Sequence, residues 1–327
     1  MVGAMRAVTV EQPGGPEALT LVERETPRPG PGEVLVDLAA GGVNFIDIYQ
    51  RSGLYALPLP FVGGNEGAGT VAEVGEGVIE VAPGERVAWA MTPGTGYAEQ
   101  ALVPAARLVP VPDEVDLEVA AASMLQGMTA HYLVNSTFEA REGQTALVTA
   151  AAGGVGLLLC QMLRDKGVRV IGTVGSQEKA DLARANGAAE TVLYREVDLA
   201  TEVERLTDGQ GVHVVYDGVG KDTFDAGLSV LRPRGMMVLF GAASGPVPPV
   251  DPQVLNSSGS LYLTRPSLAH YAAEREELLW RGREVLAAVA DGRLQIRIGG
   301  RYPLAEARRA HEDLEGGRTT GKLILVP

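Results

Sequence analysis

The residues Ala151-Ala152-Gly153-Gly154-Val155-Gly156 stand between an apolar run, Thr145 to Thr149, and a helix-forming run, Val155 to Lys166. Small residues at such a junction let the backbone turn tightly and approach a pyrophosphate, and a helix starting there offers unpaired N–H groups to the anion. Ala151 takes the first glycine's place in the usual G-x-G-x-x-G pattern, a change that a turn tolerates. The competing reading is a glycine-rich structural turn. A unit that holds NAD carries Asp or Glu about 20 residues further on, where the carboxylate binds the ribose 2′-hydroxyl. Here that stretch reads Thr173-Val174-Gly175-Ser176-Gln177-Glu178-Lys179, with Gly175 and Ser176 at the strand end. The amide and hydroxyl of Ser176 and the ammonium of Lys179 favour a 2′-phosphate, and so NADPH. Glu178 argues the other way, and Lys179 also reads as a solvent-facing helix residue.

Metal chemistry has little to draw on. Cys160 is the single cysteine, which excludes an intramolecular disulfide and every multi-cysteine zinc cage. The four histidines, His131, His213, His270 and His311, form no i, i+4 pair and share no motif, so they read as structural or surface residues.

The elements that must position the glycine loop follow from the patterning. Before Thr129 the signals are short apolar runs punctuated by Gly and Pro: Met5 to Val10, Leu19 to Val22, Val34 to Ala40, Gly69 to Val74, Arg86 to Ala90 and Glu99 to Val103. From Thr145 strand-like and helical runs alternate, which predicts a parallel, doubly wound sheet. Its strands are Thr145 to Thr149, Val168 to Thr173, Thr191 to Leu193, Val212 to Tyr216, Met236 to Phe240 and Leu261 to Thr264. Its helices are Val155 to Lys166, Gln177 to Asn186, Leu199 to Thr207 and Phe224 to Leu231, with Gly167 and Gly187 as C-terminal caps of the first two. Glu274 to Asp291 and Leu304 to Leu314 read as further helices and Lys322 to Val326 as a closing strand, a tail that returns to the first domain. The uncharged stretch Gly143 to Leu163 is long enough to resemble a membrane span, but its glycines suit a turn between two elements better.

With 327 residues the chain has room for two domains. Its 28 Lys and Arg against 41 Asp and Glu leave a net charge of −13, which excludes nucleic acid and anionic membrane as main partners. Met1 to Val10 shows no charged leader followed by a long apolar stretch, so the cytoplasm is the expected location.

Several motifs together carry a resemblance. They are Asn44-Phe45-Ile46-Asp47 with Tyr49, Arg51 and Tyr55; Gly64-Asn65-Glu66-Gly67-Ala68-Gly69; the glycine loop before Gln161 and Arg164; Val215-Tyr216-Asp217 with Gly218-Val219-Gly220; and Gly259-Ser260-Leu261 with Thr264-Arg265-Pro266. On these the chain resembles, from end to end, the zinc-independent quinone oxidoreductases related to zeta-crystallin, within the medium-chain dehydrogenase/reductase superfamily. The resemblance implies an α/β fold: a Rossmann domain, with its doubly wound parallel sheet, inserted into a strand-rich GroES-like catalytic domain. The expected boundaries are 1–125 and 268–327 for the catalytic domain and 126–267 for the NADPH-binding domain. A homodimer is implied too. Cofactor residues would fall on Asn44, Thr129, Ala152, Gly153, Gly154, Val155, Gly175, Ser176, Lys179, Tyr194, Val219, Phe240, Gly241, Thr264, Arg265 and Pro266. Tyr194 would stack on the base or donate to the phosphate, or else is an edge-strand aromatic; Arg265 would pair with a phosphate, or else makes a surface salt bridge.

Zinc-using members of that superfamily bring a Cys and a His as ligands; Asn44 and Asn65 stand at those places here, and an amide oxygen is a poor zinc ligand. Without the Lewis acid, alcohol dehydrogenation is disfavoured, whereas a quinone accepts reducing equivalents readily once bound and oriented. Asn44 is expected to hold the nicotinamide ribose or carboxamide, with Tyr49 and Tyr55 lining the acceptor site and donating to a developing phenolate, unless these tyrosines merely pack a loop. Two rival functions remain: reduction of activated alkenes such as enones and enals, and a weakly catalytic, crystallin-like or redox-sensing protein that binds NADPH.

Overall fold

The computed structural model describes residues 3–327; residues 1 and 2, where the expected first domain begins, lie outside the described residues. The chain divides into two compact units, Met1–Met128 with Tyr271–Pro327, and Thr129–His270.

Along the chain, β1 (Ala4–Val10), β2 (Leu19–Glu25) and β3 (Glu33–Val43) precede α1 (Phe45–Arg51). Then come β4 (Phe61–Val62), β5 (Gly67–Val74), β6 (Arg86–Trp89), β7 (Gln100–Pro104), β8 (Val109–Pro110) and α2 (Leu117–Tyr132). The alternating part follows as β9 (Thr145–Val148), α3 (Gly154–Asp165), β10 (Arg169–Val174), α4 (Gln177–Ala185), β11 (Glu190–Leu193), α5 (Leu199–Leu206), β12 (Val212–Asp217), α6 (Phe224–Ser229) and β13 (Leu231–Leu239). After α7 (Pro252–Ser257), β14 (Tyr262–Thr264) and α8 (Leu268–Tyr271), the tail supplies α9 (Arg275–Ala290), β15 (Ile298–Pro303), α10 (Ala307–Glu315) and β16 (Lys322–Val326).

In the unit Thr129–His270 six parallel strands run in the order β11-β10-β9-β12-β13-β14, so the order reverses between β9 and β12. The central strands are apolar on both faces because helices cover both; Leu147 sits opposite Ile171 on one side and Val215 on the other, in a core shared with Val192, Phe224 and Met237. The doubly wound parallel sheet expected from the alternation is therefore present. Gly143 to Leu163 is split between β9 and α3, and no described helix is long and apolar enough to cross a membrane. Gly167 and Gly187 both adopt positive φ just after their helices, as C-terminal caps require.

The other unit is built on a seven-stranded sheet, β15-β16-β3-β5-β6-β8 with β7 on β3, and a small sheet β2-β1-β4. Its main core joins Val34, Val36, Val71, Val87, Trp89, Val103 and Leu108. The C-terminal strand β16 pairs antiparallel with β3, Leu323 opposite Val43, so the tail joins the same sheet as β3, β5 and β6. The first part is strand-rich as expected, and it also holds two helices that the sequence pattern does not mark. In α2, Ala120, Ala121, Ala122, Ser123, Met124 and Met128 are all buried; apolar all round, it carries no one-sided period to read. Helix α1 is only seven residues long, too short for a periodic signal.

Candidate functional site

The glycine loop turns between β9 and α3. Ala150 takes a positive φ of 48°, and Gly153, in extended conformation, is the residue preceding the helix, with no side chain accepting from the helix's first N–H groups. A β-carbon on Gly156 would come 2.3 Å from the Ala150 carbonyl oxygen, so glycine there lets the helix lie directly on the strand. One on Gly153 would meet only that oxygen, at 3.1 Å, and Ala150 Cβ at 4.0 Å. The pyrophosphate reading thus has uncapped helical amides to support it, and the separate needs of Gly153 and Gly156 are those of a dinucleotide loop.

At the carboxyl end of β10, Ser176 caps α4 by accepting from the Lys179 N–H at 3.4 Å. A β-carbon on Gly175 would stand 3.0 Å from the Tyr194 hydroxyl and 3.3 Å from Arg195 Nε, so glycine keeps a hollow between a phenol and a guanidinium. Tyr194 is half exposed, and the Arg195 guanidinium lies 5.9 Å from its ring centre. The structure thus brings together Gly175, Ser176, Lys179 and Tyr194, and adds Arg195, which sequence reasoning missed although it adjoins Tyr194. On β12, buried Asp217 accepts from the Thr149 hydroxyl at 2.9 Å, the Val219 N–H at 2.8 Å and the Thr223 hydroxyl at 2.8 Å, which fixes the Val219 loop to the end of β9. Phe240 and Gly241 follow β13, their N–H groups on the Asp217 carbonyl. Arg265 donates to the Phe240 carbonyl at 2.8 Å and to that of Pro266 at 3.3 Å, and Thr264 closes β14. Ala152 is buried in the loop, Gly154 and Val155 open α3, and Thr129 is buried on α2.

Asn44 precedes α1 at the end of β3, and its N–H donates to the Asp47 carboxylate at 2.8 Å. Its side chain is buried. Nδ2 donates to Glu66 Oε1 at 2.6 Å; Oδ1 accepts from Lys322 Nζ at 2.6 Å and from Gln126 Nε2 at 3.4 Å. Lys322 also pairs with Glu66, whose second oxygen accepts the Leu125 N–H at 2.6 Å. Asn65 donates to Asp47 at 2.5 Å and exchanges hydrogen bonds with Gln50. Tyr49 and Tyr55 pack edge to face on each other, ring centres 5.2 Å apart, with Tyr55 partly exposed.

A second chain of buried groups supports Asp47. Arg51 donates to Glu315 at 2.7 Å and, from Nη1, to His311 Nδ1 at 3.1 Å. Arginine only donates, so Nδ1 is bare and the ring proton sits on Nε2, which donates to the Tyr97 oxygen at 2.8 Å; Tyr97 in turn donates to Asp47 at 3.0 Å. Burial and the neighbouring guanidinium hold His311 neutral, down to about 3. Burial pushes Asp47 up to about 6 against its donors, and burial with the Asp47 charge raises Tyr97 further above its ordinary range.

These residues do not fit a zinc ion. Both asparagines spend their amide groups on Glu66, Lys322, Asp47 and Gln50, and a buried ammonium already sits on Glu66. Among the described residues no group of three His, Cys, Asp or Glu is placed to hold a metal. Glu66 stands within the sequence motif Gly64 to Gly69, whereas the signal for Lys322 is a lone charge opening an apolar strand.

Comparison with known proteins now bears on the whole chain. Residues 30–113 match the alcohol dehydrogenase GroES-like domain and residues 154–275 match the zinc-binding dehydrogenase family. A quinone oxidoreductase of Pseudomonas aeruginosa is 48% identical over 315 residues, 96% of this chain and 97% of that protein. The chain belongs to the quinone oxidoreductase family. It is a medium-chain dehydrogenase/reductase with a GroES-like and a Rossmann-type domain. The solved structure of Escherichia coli quinone oxidoreductase complexed with NADPH superposes with a TM-score of 0.97 at 42% identity, covering 98% of this chain and all of that one. A 2-haloacrylate reductase of Burkholderia is 40% identical over 98% of each chain. For this quinone oxidoreductase-family chain, the match to zinc-binding dehydrogenases covers residues 154–275, which include neither Asn44 nor Asn65.

Proposed function

We propose that the protein is an NADPH-dependent, zinc-independent quinone reductase. The observation that carries the reading is near-full-length identity to quinone oxidoreductases, one of them solved with NADPH, in a chain whose loop and 2′-phosphate hollow suit that cofactor. Ala152 to Val155 would hold the pyrophosphate, and Gly175, Ser176, Lys179, Tyr194 and Arg195 the 2′-phosphate. Thr129, Val219, Phe240, Gly241 and Thr264 to Pro266 would line the rest of the cofactor site. Bound NADPH supplies the reducing equivalents. Asn44 orients the nicotinamide riboside, while Tyr49 and Tyr55 line the acceptor site and donate hydrogen bonds to the acceptor oxygen as negative charge develops there. The protein's task is binding, orientation and exclusion of water, because a conjugated quinone needs no Lewis acid.

The test is to follow NADPH absorbance with 1,4-benzoquinone and to repeat it with NADH and after dialysis against a chelator. Turnover with NADPH, weak turnover with NADH and no loss after chelation are expected. Loss of activity on chelation with recovery on adding zinc would defeat the metal-free reading. Kinship to a 2-haloacrylate reductase favours a second reading, reduction of activated alkenes, so the same assay includes enones and 2-haloacrylates. Thiol-based redox sensing is disfavoured, since buried Cys160 has its thiol pushed up to about 12. The protein is further proposed to be a cytoplasmic homodimer; β14 ends its sheet with an open edge carrying exposed Tyr262, a place where a second copy can pair.

A further inference from the structure

Lys322 is the one charged residue of β16, Lys322–Val326, and it is 1% exposed. A buried ammonium is expensive unless it is paired, and this one is paired with Glu66, itself fully buried. The pair has no role in the chemistry described so far, yet both partners touch the side chain of Asn44.

An asparagine amide has two chemically opposite ends: the oxygen only accepts and the nitrogen only donates. Lys322 can only donate, and the Glu66 carboxylate can only accept. Asn44 therefore satisfies both neighbours in one orientation, Oδ1 on Lys322 Nζ at 2.6 Å and Nδ2 on Glu66 Oε1 at 2.6 Å. Gln126, donating to the same Oδ1 at 3.4 Å, reinforces it. Glu66 is held in turn by the Leu125 N–H on its other oxygen, and a β-carbon on Gly42 would overlap its carboxylate, so the group has no slack to turn. Once these bonds are made, Asn44 has one Nδ2 hydrogen left, and its oxygen is engaged.

We infer that Lys322 is a positioning residue: with Glu66 it fixes the flip of Asn44, so that Asn44 meets the nicotinamide riboside of NADPH as a donor to an acceptor oxygen. The inference rests on the proposed contact of Asn44 with that cofactor. It gives the centre a protein-borne cation where zinc-using relatives place an ion, and the cation acts through an amide and not on the acceptor itself.

The test measures NADPH dissociation constants by nucleotide fluorescence, which needs no turnover. Lys322→Met should weaken NADPH about tenfold in the wild-type background but less than about twofold when Asn44→Ala is already present, because the lysine acts through that amide. Lys322→Met alone leaves the buried Glu66 carboxylate without its counter-charge and lowers stability. Glu66→Gln/Lys322→Met removes both charges and keeps the packing. In that pair the new amide keeps the Leu125 N–H on its oxygen and turns its own N–H groups on Asn44 Oδ1, which inverts Asn44. The paired variant should melt near wild type and still bind NADPH about tenfold more weakly, with the penalty again lost in the Asn44→Ala background. Equal penalties in both backgrounds, wild-type affinity in the paired variant, or undiminished NADPH binding by Asn44→Ala would each overturn the inference. Failure of the reductase reading shows elsewhere, as wild-type protein that binds NADPH but does not oxidise it whichever quinone, enone or 2-haloacrylate is offered as acceptor.

Discussion

Asp47 and His311 are two hydrogen bonds apart, through Tyr97, in one buried chain, and their ionisation pulls stability in opposite directions. Folded Asp47 keeps its proton up to about pH 6, whereas an unfolded one releases it near 3.8, so between those values the folded state binds more protons and stability falls as pH rises. Folded His311 stays neutral to about pH 3, whereas an unfolded one takes a proton below 6.5, so stability falls as pH drops through that window. The two slopes oppose each other from about pH 4 to about pH 6. Asp47→Asn should therefore lose a few kcal/mol more than wild type on acidification across that range, and His311→Gln should lose less than wild type. Urea unfolding at successive pH values checks both; parallel curves for all three proteins would contradict the assigned shifts. On the acceptor side, Tyr49→Phe or Tyr55→Phe should lower kcat/KM for 1,4-benzoquinone by about fivefold and leave NADPH affinity unchanged, since each removes one donor and little volume.

The turn from β9 into α3 separates binding from folding within four residues. Gly153→Val puts its branches beside the uncapped amides and meets little of the protein itself, so it should abolish NADPH binding while the melting temperature stays close to wild type. Gly156→Val instead drives a β-carbon into the Ala150 carbonyl, and should destabilise the protein by about 2 kcal/mol or more before any cofactor is considered. Thermal melting beside fluorescence titration separates the two; a Gly153→Val protein that binds NADPH normally would remove the loop from the cofactor site. Helix α1 plays the corresponding part for the other centre. It places Asn44, Asp47, Gln50 and Arg51 on one buried side, where they meet Glu66, Tyr97, Asn65 and His311 in turn.

For the whole molecule, ligand binding and folding are linked. NADPH at about 100 times its dissociation constant should add about 2.7 kcal/mol to the folded state and raise the melting temperature by several degrees. NADH at the same concentration should raise it much less, because Lys179, Tyr194 and Arg195 have no 2′-phosphate to meet. Light scattering should return twice the 34.3 kDa chain mass if the homodimer forms; a monomer at micromolar concentration would set that proposal aside.

Local pattern was enough for the doubly wound sheet, the glycine loop, the absence of a carboxylate at the end of β10, and the family. Strand and helix periods, turn glycines and short motifs are properties of neighbouring residues, and they survive without knowledge of distant contacts. It was not enough for α2, because a helix apolar on every face has no period. Nor was it enough for the centre around Asn44. Lys322 lies 278 residues from Asn44, and His311 lies 214 from Tyr97. Pairing of β16 with β3 puts the lysine on Glu66, and the packing of α10 brings His311 to Tyr97, so the orientation of the Asn44 amide and the shifted ionisation of Asp47 exist only once the sheet has closed. Sequence marked the residues expected to bind; tertiary structure decided which partners they meet and which charges they share.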